Sequence, residues 1–365
     1  MSSTVRHTLP GPDYHDPDVF ALERERIFFR HWFYVGREQQ LEQPGQWITA
    51  DVAGESVLLT RGTDGALNAF YNVCRHRGSR LCDEPSGQVK AAIRCPYHAW
   101  AYGLDGRLLT TPYIERDEID HAGTGLWPVH VDSWQGFVFV NLDRQTPQPL
   151  RDSLSSHQDG PLSFERFALD TLRTGHRTVL DVAANWKIVI ENYNECLHCP
   201  TVHPELVDLI PAYRSGWVAE ESRSDGGVTL ADGRTTLSTD PRSRLPLLPG
   251  MGDVEAASYY GASVFPNMFL DISGREALVT CILPTGPTST RLITDYLFPR
   301  EAVESPDFDP SGVISFNDLV TQQDNDVCER VQRGVTSRAF SHGVFPAKDE
   351  YVYQFNQRYL AERDG

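Results

Sequence analysis

Two short segments, Cys74-x-His76 and Cys95-x2-His98, each place one thiol beside one imidazole, with eighteen residues between them. Two such Cys–His pairs at loop tips form a four-ligand site, inside what reads as a small antiparallel module. The surrounding text agrees. Residues 47–60 alternate in the manner of strands, and Gly54, Gly62 and Gly65 punctuate them. Two thiolates with two imidazoles suit tetrahedral zinc, or a [2Fe-2S] centre in which two histidines replace two cysteines on one iron. Two-Cys, two-His zinc fingers draw each pair from one ligand kind. Here each loop supplies one of each, which lets two loops clamp one cluster from opposite sides. Gly78, Pro96 and Gly103 stand where backbone turns or approaches closely, and Arg75, Arg77, Tyr97 and Trp100 are placed to donate hydrogen bonds or to shield a cluster.

A second constellation follows in residues 191–203, ENYNECLHCPTVH. Residues 183–197 hold no Gly or Pro, and Pro200 disfavours helical angles before it, which predicts a helix ending near Cys199. On such a helix Glu191, Glu195 and His198 fall within about 60° of one another. His203 follows the break and is free to swing back toward His198, and two histidines this close point to a metal. Glu191 is disfavoured as a ligand, because seven helical residues separate it from His198 by roughly 10 Å. Cys196 and Cys199 form a CxxC without a thioredoxin-like strand context and read as packing residues. Residues 311–333 carry the clearest amphipathic helix, with Val313, Phe316, Val320, Val327 and Val331 in one stripe. Asp324 lies at the edge of that stripe, where a carboxylate needs a partner, whereas Asp326 projects about 115° away toward solvent.

The 365 residues suffice for two domains. A formal charge of -17 and a pI near 5.1 would repel phosphate backbones and anionic lipid, which argues against nucleic acid or a membrane surface as partner. No apolar run approaches the roughly 18 residues of a membrane helix, and the first residues lack an apolar core segment, so a cytoplasmic protein is expected. Seven scattered cysteines argue for reduced thiols and metal ligands. Asp16 is the expected N-cap of a helix to residue 30, with Pro17 at its first position and Phe20, Leu22, Ile27 and Phe28 as its apolar contacts. Residues 213–261, rich in Ser, Asp, Gly, Arg and Pro, read as a loop over the active site. Three strands, at residues 267–272, 276–283 and 290–298, make a meander, and residues 299–310 form an acidic connector.

CRHRG followed by CPYHAW resembles the Rieske domain of the Rieske non-haem iron oxygenases, and ENYNECLHCPTVH resembles the same family's iron-binding pattern in its order and separation. The resemblance covers nearly the whole chain. It implies an α+β protein: an N-terminal helical segment (1–36) packing on the catalytic domain, an antiparallel-β Rieske [2Fe-2S] domain (37–150), and a helix-grip (SRPBCC-like) catalytic domain with antiparallel sheet and helices (151–365). It implies Cys74, His76, Cys95 and His98 as cluster ligands. His198, His203 and Asp324 would hold a mononuclear Fe(II) as two imidazoles and a carboxylate with open positions, and Glu195 and Asn192 would take catalytic roles. The implied activity is O2-dependent hydroxylation or oxidative demethylation in a homotrimer, with Glu195 linking one subunit's iron to the next subunit's cluster. No GxGxxG follows a strand, so electrons would come from a separate NAD(P)H-dependent reductase, with or without a ferredoxin.

Glu195 stands where aromatic-ring dioxygenases of the family usually carry Asp, and the stretch is more similar to the branch oxidising quaternary ammonium compounds such as carnitine or glycine betaine. Tyr193, Trp217, Tyr259, Tyr260 and Phe265 are candidates for an aromatic cage. An aromatic-ring or aromatic-acid hydroxylase is the alternative substrate reading. A non-catalytic Rieske electron carrier and a zinc-stabilised scaffold are the alternatives of another class.

Overall fold

The computed structural model describes residues 5–155, 160–216, 225–240 and 243–365. Trp217 and part of the 213–261 segment lie outside them. The chain divides into two compact units, residues 28–153 and residues 1–27 with 154–365.

The 28–153 unit is built from two antiparallel sheets. The seven-stranded sheet runs Phe33–Arg37, Phe137–Asn141, Pro128–Trp134, Leu67–Tyr71, Glu55–Arg61, Gln46–Val52, Ser86–Gln88. Two of its strands carry consecutive buried apolar residues, Val57, Leu58 and Leu59 in one and Phe137–Val140 in the other. Phe33–Arg37, within the stretch expected to be helical, is an edge strand of this sheet. The smaller sheet, Ala92–Arg94, Ala101–Gly103 and Leu108–Thr110, carries the second Cys–His pair on the loop between its first two strands.

In the other unit a six-stranded antiparallel sheet has the order Arg173–Val182, Ser289–Phe298, Ala277–Gly286, Met268–Ile272, Ser258–Val264, Val228–Thr229. The expected meander forms its middle. Ser258–Val264, expected within the loop, is instead a strand whose apolar and polar residues alternate in burial. The 299–310 connector contains a short helix, Arg300–Val303.

The Ser311–Val335 helix grips this sheet, burying Val313, Phe316, Asn325, Cys328, Gln332 and Val335. Val313 and Phe316 of the predicted stripe are buried, whereas Val331 at its far end is exposed. Gln332 takes the inward position because its amide oxygen accepts from the Asn185 N–H at 2.8 Å and its amide nitrogen donates to the Tyr14 carbonyl at 3.1 Å.

Asp16 caps the first helix, Pro17–Glu23, by accepting from the Asp18 N–H, and the helix continues as a wide turn over Arg24–Phe28. Leu22, expected inside, is exposed, while Glu23 is fully buried. Glu23 is neutralised by Lys187, also fully buried, and accepts from Trp186 Nε1 and the Tyr359 hydroxyl. A buried carboxylate is tolerated only with such a full set of partners. This pair ties the N-terminal helix and the C-terminal helix Glu350–Asp364 to the start of the iron-motif helix.

Candidate metal centres and active-site cavity

The four Cys–His residues sit on two loops built alike. In each, the N–H four residues after the cysteine returns to the cysteine carbonyl: Gly78 to Cys74 at 3.0 Å and Ala99 to Cys95 at 3.1 Å. Each cysteine N–H closes the other end, on Ser79 and Trp100 respectively, both at 2.8 Å. The returning residue is left-handed in both loops, with φ +73° at Gly78 and +59° at Ala99. The sequence flags the first position by its glycine and hides the second behind an alanine.

The two sulfurs are buried, and the His76 and His98 rings stand 4.7 Å apart at 69°. Burial raises Cys74, although the Tyr102 hydroxyl and the His76 N–H favour its thiolate; at Cys95 burial is outweighed by the N–H groups of Tyr97 and His98, which lower it. His76 Nδ1 is buried without a hydrogen-bond partner. A buried, unpaired imidazole nitrogen beside two thiols suits a metal ligand, and the residues therefore fit a two-thiolate, two-imidazole iron–sulfur cluster. Trp100 stacks on His76 at 4.6 Å and 7°, and the exposed Tyr97 covers His98 at 3.7 Å, so these two do shield the site. Arg75 points elsewhere, its guanidinium donating to the Gly125 carbonyl and lying over Trp127. Arg77 lies over Tyr97 at 5.5 Å.

The second site departs from the expected helix. The helix runs only from Trp186 to Tyr193, with Asn185 as N-cap, and the next begins at Cys199 with Pro200 in its first turn. Between them the Glu195 carboxylate accepts from the Leu197 N–H, and from the His198 N–H at 3.4 Å, a side-chain turn that competes with helix. Glu195 and His198 thus do not share a helical face. They still meet, because the turn sets Glu195 Oε1 2.5 Å from His198 Nδ1. Cys196 and Cys199, expected as reduced packing residues, are joined in a disulfide that spans this turn, since the break brings their Cα atoms to 5.0 Å. With the helix broken, the argument from axial distance against Glu191 no longer holds. Glu191 is engaged elsewhere, accepting from the Tyr14 hydroxyl at 2.8 Å, and burial pushes it up to about 7.

His198, His203 and Asp324 converge as a group able to hold a metal. The Nε2 atoms of the two histidines lie 3.2 Å apart, and Asp324 Oδ1 lies 2.9 Å from that of His203 and 3.4 Å from that of His198. Ligands about 2.1 Å from a metal at right angles are separated by about 3.0 Å. The triangle therefore matches one face of an octahedron and leaves the opposite face open.

Each imidazole is fixed from behind: His198 Nδ1 by Glu195 and His203 Nδ1 by Gln323 Oε1 at 2.8 Å, which turns both Nε2 lone pairs inward. Gln323 in turn donates to Glu205 at 3.2 Å. Gln323 was not singled out from the sequence; its place beside Asp324 was the available signal. Burial disfavours a charged His198, but hydrogen bonds to Asp324 and Glu195 outweigh it and push the ring up to about 9. Asp324 is held below the ordinary carboxylate range, hydrogen bonds from both histidines outweighing burial. With both Nε2 atoms deprotonated, the three inward atoms form a donor set for one metal ion. Asp326 faces outward and accepts from Gln322.

A cavity of about 200 Å³ opens on this triangle. Asn192 lines it, as do Glu195, Tyr193, Tyr213, Tyr259 and Phe269. Tyr193 stacks on Phe269 at 3.8 Å and 7°. Tyr260 and Phe265 are core instead, packed on Phe164 and Phe167 and on Trp186 and Phe355. Two cavity carboxylates escaped the sequence reading, Asp271 and Glu276, because nothing in a strand pattern marks a buried acid. Burial pushes Asp271 up to about 6 and Glu276 up to about 7. Outside the lining, Asp349 is raised to about 6 by burial and by the charge of Glu195.

Residues 31–133 match the Rieske [2Fe-2S] domain family, and residues 169–363 match the ring hydroxylating alpha subunit (catalytic domain) family. The glycine betaine monooxygenase oxygenase subunit of Chromohalobacter salexigens is 34% identical, over 94% of this chain and 83% of that one. The carnitine monooxygenase oxygenase subunit of Escherichia coli is 31% identical, over 91% and 85%. The crystal structure of the quaternary ammonium Rieske monooxygenase CntA with L-carnitine superposes with a TM-score of 0.78 at 26% identity, covering 98% of this chain and 96% of that one.

Proposed function

The chain belongs to the Rieske non-haem iron oxygenases, as a catalytic alpha subunit with a Rieske [2Fe-2S] cluster and a mononuclear iron, and from that premise we propose that it monooxygenates a quaternary ammonium or N-methylated compound. The single observation that carries the reading is the open-faced triangle of His198, His203 and Asp324 on an aromatic-lined cavity. Aromatic faces attract an ammonium group that cannot donate hydrogen bonds, and the relatives named for glycine betaine and carnitine support the same class.

In this reading Cys74, His76, Cys95 and His98 hold the cluster, and His198, His203 and Asp324 hold the iron. The bound metals supply O2 activation and single electrons. The balance is R–H + O2 + 2 electrons + 2 protons giving R–OH + H2O, with the electrons drawn from NAD(P)H by a separate reductase. The chain's own residues orient and exclude. Glu195 and Gln323 keep Nδ1 of each histidine protonated and Nε2 inward, and the rings of Tyr193, Tyr259 and Phe269 hold the substrate against the open face. Asn192 lines the same wall.

The assembly is proposed as a cytoplasmic homotrimer in which Glu195, hydrogen-bonded to His198 Nδ1, links to the neighbour's cluster. A structure in the same group is described for inter-subunit electron transfer, which supports this arrangement. No described helix is long and apolar enough to cross a membrane.

The test is coupled O2 and NADH consumption with a surrogate reductase. Trimethylammonium compounds are expected to be turned over and benzoate-type acids not; the reverse order would overturn the substrate class. About three irons per chain, rather than two, separate the oxygenase from a pure electron carrier. Glu195→Ala is expected to keep both metals and lose most turnover. Mixing that chain with Cys95→Ala chains should restore part of it, and unchanged turnover in Glu195→Ala would end the bridging role.

A further inference from the structure

Resting on the quaternary-ammonium reading above, we propose that Asp271 is the residue that recognises the substrate's positive charge. It sits on the Met268–Ile272 strand in the cavity that also holds the iron triangle. The hydroxyls of Tyr193 and Tyr259 both donate to one of its oxygens, Oδ1, at 2.7 and 2.5 Å. Among the described residues no donor reaches Oδ2, and no Lys, Arg or His pairs with the carboxylate.

The other acids of the lining are occupied. Asp324 faces the two histidines, Glu195 is bound to His198, and Glu276 accepts from Thr236, Ser273 and the Leu237 N–H. Among the described lining residues there is no Lys or Arg, so a cationic ligand meets no competitor for Asp271. An ionised carboxylate in such surroundings is costly until a cation pairs with it. A primary ammonium would seek three acceptors here, whereas a trimethylammonium group seeks only an anion and aromatic faces. The stacked Tyr193 and Phe269 rings and the one free oxygen offer that combination. The upward displacement of Asp271 by burial, against the two tyrosine hydrogen bonds, is the sign expected of a carboxylate lacking its cation.

The experiment measures calorimetric binding to the metal-loaded protein of choline and of its neutral isostere 3,3-dimethylbutan-1-ol. Wild type is expected to bind choline at least about tenfold more tightly than the alcohol. Asp271→Asn keeps the shape and the oxygen that the tyrosines bond, and should weaken choline about ten- to a hundredfold while leaving the alcohol within about twofold. Asp271→Glu, which keeps the charge, should retain the preference. Cluster absorbance and melting temperature report on folding. Undiminished choline binding in Asp271→Asn would overturn the role of Asp271 alone. Equal binding of the two compounds by wild type would overturn it without any variant. If wild type binds none of choline, glycine betaine and carnitine, the quaternary-ammonium reading falls and takes this inference with it.

Discussion

The two metal centres are built on opposite plans. At the cluster loops each Cys–His pair comes from one short turn, and each turn closes on its own backbone through the same two hydrogen bonds. At the proposed mononuclear site Asp324 stands 121 residues beyond His203 and on a different element, and the histidines are aimed by Glu195 and Gln323. A locally closed site shows itself in sequence spacing. A site assembled by packing depends on where helices break and which faces they bury.

The largest effect should come from the ligands. If the sites are built independently, Cys95→Ala should abolish the cluster's visible and spin-resonance signals. Asp324→Ala should lose one iron per chain and at least about a thousandfold in turnover, yet keep those signals. Asp326→Ala should stay within about 0.5 kcal/mol of wild type in stability. Iron and sulfide analysis of the three variants checks this, and loss of the cluster in Asp324→Ala would break the comparison.

The buried acids of the catalytic unit give it a pH dependence of definite sign. Glu276, 1% exposed, is raised to about 7 from an ordinary 4.5, so the folded state keeps a proton that the unfolded chain releases. Its contribution is fully present below pH 4.5 and is lost as pH rises through 7, at a cost on the order of 3 kcal/mol. Chemical denaturation between pH 4.5 and 8 should show stability falling over that window, and Glu276→Gln should flatten the slope. An unchanged slope would assign the effect elsewhere.

Gln323→Ala should lower iron affinity about ten- to a hundredfold without altering the cluster, since only the mononuclear site relies on a side chain from another element to aim a histidine. Competition with a chelator reads the affinity directly. Unaltered affinity would mean that packing alone aims His203.

The smallest effects test the likeness of the two cluster loops. Gly78→Ala should cost about 1–2 kcal/mol, whereas Ala99→Gly should cost nothing or stabilise by up to about 1 kcal/mol, because both positions are left-handed. Opposite shifts in melting temperature are expected. Equal destabilisation by both would refute the shared geometry.

The sequence by itself determined the cluster's four ligand candidates, the sheet meander, the capped first helix and the inward placement of Asp324 against the outward one of Asp326. Each rests on short-range physics: turn residues, a two-residue period in strands, a 3.6-residue period in helices. Tertiary structure decided the rest. It broke the iron-motif helix at Tyr193, where the Glu195 turn replaces helical hydrogen bonds, and so brought Cys196 to Cys199. It buried Gln332 rather than Val331 at the end of the long helix, and hid Glu23 where Leu22 was expected. It also gathered Tyr193, Tyr259 and Asp271 from one helix and two strands into one cavity. A buried polar group is stable only when its partners arrive from elsewhere in the chain, and no local period in the sequence records that arrival.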